Sequence, residues 1–157
     1  MGPSASKQEI LDHCVRIAAG QAGGTLATLH AEDGTPYPTF VLFHLLPDGR
    51  VIFGSERDAQ HSRDMDATPE VAFLIDNRDV NRTDWTRFDR IVIEGTARKV
   101  DPSDARYAEY LDALKAKNRL AAYFTQQGHL YCIEPRRMTL RRALDPHRYT
   151  VEFDDAG

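Results

Sequence analysis

Between Thr35 and Met65 the chain reads TPYPTFVLFHLLPDGRVIFGSERDAQHSRDM. Two runs of β-branched and aromatic residues meet at a Pro-Asp-Gly turn, residues 47–49, which predicts a β-hairpin. A polar turn then leads into a helix, for which Asp58 is the predicted N-cap. This helix begins with Gln, His, Ser and Arg beside Ser55, the last residue of the second strand. Because a helix N-terminus offers free N–H groups and a favourable dipole to anions, the pattern predicts a phosphate site.

The segments on either side of the hairpin favour a mainly β protein with helices at its ends. The spacing of apolar residues predicts a first helix from Lys7 to Gly20, and Asp101 predicts the start of a later helical region that ends before Gly128. Further strands are predicted at residues 25–29, 71–75, 88–100, 129–133, 138–142 and 149–153. Gly95 predicts a bulge or a close backbone approach. Strands that pair with their sequence neighbours, without βαβ alternation, favour an α+β fold built on an antiparallel barrel of six or seven strands.

Length and composition limit the class of protein. The 157 residues predict one domain, residues 7–157, behind a disordered lead-in of residues 1–6. With 41% hydrophobic and 28% charged residues, and no apolar run of roughly 20 residues, we expect no membrane partner. A formal net charge of -4 argues against a nucleic-acid partner. The two cysteines form neither a disulfide framework nor a metal spacing, and the polar N-terminus has no signal-peptide pattern, so we expect a cytoplasmic location.

The order of elements around the hairpin carries a family resemblance. A strand, a tight turn, a strand ending in Phe-Gly-Ser, a four-residue turn and then Gln-His-Ser-Arg is similar to the FMN-binding split-barrel proteins related to pyridoxamine 5'-phosphate oxidase. The resemblance covers residues 10–100 and, more weakly, 130–153. It implies a split β-barrel that binds FMN along the hairpin, with the flavin ring against strand backbone and the phosphate at the turn before the helix. It also implies a homodimer with the cofactor near the subunit interface.

The same resemblance implies which side chains hold the cofactor. They are Thr39, Phe40, Val41, Phe53, Gly54, Ser55, Gln60, His61, Arg63 and Arg90. Ser55 replaces a threonine of the family, and Ala59-Gln60-His61 replaces Ser-Arg-Lys. Thr39 and His44 stand where the family has an arginine and a lysine, a loss for which Arg63 could compensate from the helix.

Two of these positions carry alternative interpretations. A phosphate dianion would favour the charged imidazole of His61, but a plain surface histidine fits the pattern as well. The position of Arg90 is one where relatives place a polar residue that reaches the flavin ring, and a solvent-exposed arginine at a strand end is the alternative.

The expected function is that of an FMN-dependent oxidoreductase acting on a small-molecule substrate, with no catalytic side chain assigned. The six histidines contain no i, i+4 pair, and no metal site, nucleophile motif or dinucleotide fingerprint is present in the sequence, so any chemistry would come from a cofactor. The C-terminal region lacks the Trp- and Arg-rich segment of true pyridoxamine phosphate oxidases, so another substrate is expected. Two alternatives stay open: a barrel that uses deazaflavin or haem, and a non-catalytic flavin-binding stress or sensor protein.

Overall fold

The computed structural model describes residues 1–154, in which seven strands form one sheet surrounded by four α-helices. The helices are α1 Lys7–Ala19, α2 Gln60–Ala67, α3 Tyr107–Lys117 and α4 Arg119–Gln127. The strands are β1 Gly23–Leu29, β2 Pro36–Leu45, β3 Val51–Ser55, β4 Glu70–Asp76, β5 Asp89–Val100, β6 His129–Arg142 and β7 Arg148–Glu152. Residues 155–157 of the predicted domain lie outside the described residues, and the division into lead-in and domain stays a prediction.

The sheet closes into a barrel because β3 pairs on both of its edges. The strand order is β3-β2-β1-β4-β5-β6-β7, and β3 also pairs with β6. All pairings are antiparallel. One edge of β6 is shared by β3, at residues 129–133, and β7, at residues 137–141. Six strands therefore form the barrel and the seventh extends its sheet, which confirms the predicted six- to seven-stranded split barrel with flanking helices.

Two apolar layers follow from the alternation of side chains along the strands. The barrel interior holds Phe43, Phe53 and Phe73, and α1 closes it with Ile10 and Leu11. A second layer lies outside β3 and β6. It consists of Ile52, Val100, Leu130 and Cys132 from the strands with Tyr110, Leu114 and Ala121 from α3 and α4. The two helices are thus fixed to the outer surface of β3, where the candidate site lies.

Strand β6 is continuous, although residues 129–133 and 138–142 were predicted to form two separate strands. The pairing register with β5 shifts between Glu94 and Gly95, so a bulge absorbs the irregularity opposite Pro135. A Cβ on Gly95 would lie 2.1 Å from the carbonyl oxygen of Glu134. Gly95 is therefore both a bulge and a close backbone approach, as predicted. Pro135 is compatible with the continuous strand, because a bulge does not require its missing N–H.

The predicted start of the third helix, with Asp101 as its N-cap, is wrong by five residues, because the N-cap is Arg106. The carboxylate of Asp101 accepts hydrogen bonds from the N–H and hydroxyl of Ser103, which form a turn, and α3 begins only at Tyr107. Local side-chain bonds of this kind compete with helix formation.

No helix among residues 1–154 has the length and apolar character needed to cross a bilayer.

The fold makes stability dependent on histidine protonation. Burial is the main cause that lowers the pKa of His13, His44, His61 and His129 below 6.5. Below pH 6.5 the unfolded chain therefore takes up protons before the folded protein does, and stability falls. We expect the urea midpoint to be lower at pH 5.5 than at pH 7.5. Equal midpoints at the two pH values would contradict this prediction.

Candidate functional site

A cavity of about 370 Å³ lies where β2 and β3 meet the start of α2 and one side of α4. Its lining consists of Phe40, Val41, Leu42, Gly54, Ser55, Glu56, Ala59, His61, Ala121 and Phe124. The volume falls in the range of small-molecule sites, and a mostly apolar wall with a few converging polar groups is typical of them. A wider groove of about 730 Å³ beside the end of α1 contains none of the predicted site residues. The 370 Å³ cavity is therefore the candidate site.

Three hydrogen-bonding side chains converge at one end of this cavity. The Ser55 hydroxyl lies 2.8 Å from Nε2 of His61 and is also hydrogen-bonded to the hydroxyl of Ser62. Ser62 in turn donates to the backbone carbonyl of Glu56 at 2.8 Å. Ser55 and Ser62 are only 2% and 1% exposed. The short turn between β3 and α2 folds the helix start back onto the strand end, which explains why residues close in sequence form this cluster.

The first turn of α2 has free backbone donors. Its N-cap is Ala59, not the predicted Asp58, and no side chain caps the helix. The N–H groups of Gln60 and His61 have no acceptor within residues 1–154. Uncapped N–H groups at a helix start attract anions, and His61, which carries one of them, also contacts the Ser55 hydroxyl through its side chain. An uncapped helix start therefore suits a phosphate group better than a start capped by the Asp58 carboxylate would.

The electrostatic state of the site depends on His61. Burial lowers the pKa of His61, and this effect outweighs the neighbouring Asp64 and Glu56, which raise it. The free imidazole is therefore neutral at pH 7. A bound dianion would favour its charged form, because opposite charges at short distance stabilise each other. His61 is thus poised to gain a proton when an anion binds.

The Asp64 carboxylate attaches α2 to β1 and to the turn after β1 through hydrogen bonds. One carboxylate oxygen accepts hydrogen bonds from the Ala31 N–H at 2.9 Å and the Gln60 side chain at 2.7 Å, and the other accepts from Thr28 at 2.7 Å. Burial alone would raise the pKa of Asp64, but these hydrogen bonds lower it below its usual value. The anchored carboxylate fixes α2 against β1 and so positions His61.

Of the ten predicted site residues, five line the cavity. They are Phe40, Val41, Gly54, Ser55 and His61. Phe53 lies in the barrel interior, where its ring stacks on Tyr131 with centroids 5.6 Å apart. Thr39 lies one residue before the cavity wall on β2, and its buried hydroxyl has no partner among residues 1–154.

The remaining three predicted residues lie away from the cavity wall. Gln60 donates to Asp64 and Glu32, and Arg63 donates to the Asp58 carbonyl and to the Gln60 side chain. The guanidinium of Arg63 is therefore already hydrogen-bonded to α2 and to the turn before it. Arg90 lies on β5, opposite Asp76 on one side and Arg141 on the other.

Two glycines allow α4 to form a wall of the cavity. A Cβ on Gly54 would lie 2.0 Å from the Thr125 hydroxyl, and a Cβ on Gly128 would lie 1.9 Å from the Ser55 carbonyl oxygen. Strand β3 and helix α4 therefore meet at backbone distance. The contribution of α4 was not predicted, because helical spacing of apolar residues predicts burial without showing which strand they cover.

A cluster of three side chains near α2 was also not predicted from the sequence. His30, Glu32 and Asp64 bring potential metal-ligating atoms within 4.8 Å of one another. Both Asp64 oxygens already accept hydrogen bonds, as described above, and the group therefore has a structural role in attaching α2 to the turn after β1.

Comparison with known proteins identifies the family. The family model described as pyridoxamine 5'-phosphate oxidase matches residues 10–141. The chain belongs to this family. Curated proteins compared with the whole sequence give no match.

Solved structures similar to this family member are described in different terms. A haem-binding protein from Mycobacterium smegmatis is 21% identical over 94% of this chain and 60% of that one, with a TM-score of 0.79. An FAD-binding protein from Mesorhizobium loti is 15% identical over 85% of this chain and 93% of that one, with a TM-score of 0.67. General Stress Protein 26 from Bacillus anthracis is 22% identical over 90% of this chain and 98% of that one, with a TM-score of 0.62. This chain spans about three-fifths of the Mycobacterium protein, and at these identities the likeness concerns the fold.

Proposed function

We propose that this protein binds FMN in the 370 Å³ cavity and acts as an FMN-dependent oxidoreductase on a small-molecule substrate. One observation carries the proposal: the Ser55 hydroxyl, the His61 imidazole and the free N–H groups at the start of α2 adjoin one end of an otherwise apolar cavity. This combination suits a ligand with a phosphate at one end and a flat apolar ring at the other. Bound FMN would supply hydride transfer at its ring.

The chain's own residues divide between the two ends of such a ligand. Ser55, His61 and the backbone of α2 would bind the phosphate, in place of the arginine and lysine that the family carries where this chain has Thr39 and His44. Phe40, Leu42 and Phe124 offer apolar surface for the ring. Burial of this surface excludes water and strengthens the polar contacts at the phosphate end.

The phosphate assignment predicts a large loss of affinity in the variant His61→Ala. We expect the dissociation constant for FMN to rise roughly 10- to 100-fold, because a charge-assisted hydrogen bond is lost. Fluorescence titration of the cofactor-free protein measures it. Riboflavin, which has no phosphate, should bind weakly and equally to both proteins, and exposed His147→Ala is the matched control. FMN binding unaffected by His61→Ala would contradict the assignment, and no binding of either flavin would contradict the proposed function.

We include a homodimer in the proposal. Apolar side chains are exposed near the cavity, with Phe40 69%, Leu120 54% and Tyr123 56% accessible. Contact with a second copy would cover this surface and place the cofactor near the subunit interface, as the family resemblance implies. A monomer by size-exclusion chromatography with light scattering would contradict this part of the proposal.

The cytoplasmic location also remains a prediction, supported by two buried free cysteines.

Haem is the second candidate ligand. It is favoured by the half-buried imidazole of His61 in the cavity and by the similarity to a haem-binding protein. Titration with haemin would then give a Soret band that His61→Ala shifts, while FMN would not bind. Deazaflavin and a non-catalytic stress or sensor role are further alternatives, and the FMN titration followed by a substrate screen distinguishes them.

A further inference from the structure

The outer face of β5, β6 and β7 carries an arginine row, which consists of Arg90, Arg141 and Arg148. The strand register places Arg90 directly opposite Arg141, and Arg141 directly opposite Arg148. Their neighbours Ile91, Leu140 and Tyr149 are buried in the barrel core. Because side chains alternate between the two faces of a sheet, the three arginines share the outer face.

A charged row further along the same face has a different composition. Here Glu94, Arg137 and Glu152 are aligned across the same three strands. The Arg137 guanidinium lies 3.6 Å from Glu94 and 2.9 Å from Glu152. The charge of Arg137 is therefore neutralised within the protein, and this row shows how the sheet pairs an arginine when complementary residues are present.

The arginine row has no comparable partners. Among residues 1–154, no carboxylate lies within 4.0 Å of Arg90, Arg141 or Arg148. Asp76 stands opposite Arg90, but its carboxylate is bound by Arg78 at 2.6 Å. The Nε atom of Arg141 is buried and has no hydrogen-bond partner in the same range.

Like charges directly opposite each other destabilise a sheet, so this arrangement is unfavourable without a bound anion. Neighbouring strands are roughly 4.8 Å apart, which brings the three arginine positions within reach of one small polyanion. Each guanidinium can bind phosphate oxygens through two parallel N–H bonds. The hydroxyls of Thr139 and Thr150, paired with each other on the same face, add further donors.

We propose that the arginine row is a binding site for a small molecule that carries a diphosphate group. The site is separate from the FMN cavity, whose lining it does not share. Three arginines on a protein of net charge -4 are too small a basic surface for nucleic acid, which requires an extended basic patch. A diphosphate concentrates its charge over a distance that the row can cover.

The test uses inorganic pyrophosphate as the probe in calorimetric titrations of the full chain. We expect saturable binding to the wild type, at least 10-fold weaker binding to Arg141→Gln and Arg90→Gln, and unchanged binding to the matched control Arg137→Gln. Inorganic phosphate should bind more weakly than pyrophosphate. Absence of pyrophosphate binding, or an equal loss in Arg137→Gln, would overturn the proposal, and so would tighter binding of a DNA duplex than of pyrophosphate.

Thermal unfolding supplies a second readout that does not depend on binding heat. Without pyrophosphate at low salt, Arg141→Gln should unfold about 1–3 °C above the wild type, because a like-charge contact is removed. Pyrophosphate should raise the unfolding temperature of the wild type and of Arg137→Gln, but not that of Arg141→Gln. A lower unfolding temperature in Arg141→Gln would contradict the unfavourable charge arrangement. FMN affinity measured on Arg141→Gln should equal that of the wild type, which separates this site from the proposed cofactor cavity.

Discussion

Replacement of Gly128 by alanine is expected to lower the free energy of unfolding by about 3 kcal/mol. The new Cβ would lie 1.9 Å from the Ser55 carbonyl oxygen and 2.9 Å from Cα of Glu56. Both are backbone atoms, one in the last residue of β3 and one in the residue after it, so no side-chain rotation relieves the contact. The strand end and α4 must move apart, and the cavity between them changes shape. Urea denaturation measures the stability, and FMN titration measures the effect on the cavity.

The control for this prediction is Gly20→Ala. Gly20 has a φ of -83°, and its new Cβ would meet nothing closer than the Ile17 carbonyl oxygen at 3.6 Å. Alanine fits there and restricts the unfolded chain, so stability should stay the same or rise by up to about 1 kcal/mol. If Gly128→Ala were as stable as Gly20→Ala, the close packing of α4 on β3 would be wrong.

The variant Asp64→Ala is expected to lose about 3–5 kcal/mol of stability. Its carboxylate is completely buried and accepts three hydrogen bonds, one each from Thr28, Ala31 and Gln60. Truncation leaves the Thr28 hydroxyl and the Ala31 N–H without this acceptor and opens a cavity under α2. FMN affinity should fall as well, because the helix that carries His61 is no longer fixed.

Asp58→Ala provides the matched comparison for Asp64. Asp58 is exposed, lies two residues before α2, and does not cap the helix. We expect its replacement to change stability by less than about 0.5 kcal/mol. Asp64→Asn should fall between the two, since an amide can accept from Thr28 but presents its NH₂ group to other donors. Equal stability of Asp64→Ala and Asp58→Ala would contradict the anchoring role of Asp64.

Most of the fold could be predicted from short-range sequence patterns. The hairpin at residues 36–55 and the bulge at Gly95 both follow from side-chain alternation and turn chemistry, which act over a few residues. The continuity of β6 could not be predicted in this way. Whether Pro135 ends a strand depends on what β5 presents opposite it, and that is a tertiary contact.

The candidate site shows the same limit. Ser55 and His61 are six positions apart, and the short turn between them brings them together, so the sequence was informative there. Alternation along β3 also separates Phe53, which faces the barrel interior, from the outward positions that meet α4. The wall formed by Phe124 depends on how α4 docks on Gly54, and no local signal encodes that contact.

The pairing of β3 with β6 has a consequence for folding kinetics. Val51 pairs with Ile133 and Ser55 with His129, so barrel closure joins segments far apart in the chain. Closing so long a loop loses entropy before the contacts compensate, and we expect this step to come late. The cavity needs β3 from one side of that loop and α4 from the other, and hence exists only after closure. A ligand bound there should slow unfolding and leave the folding rate nearly unchanged.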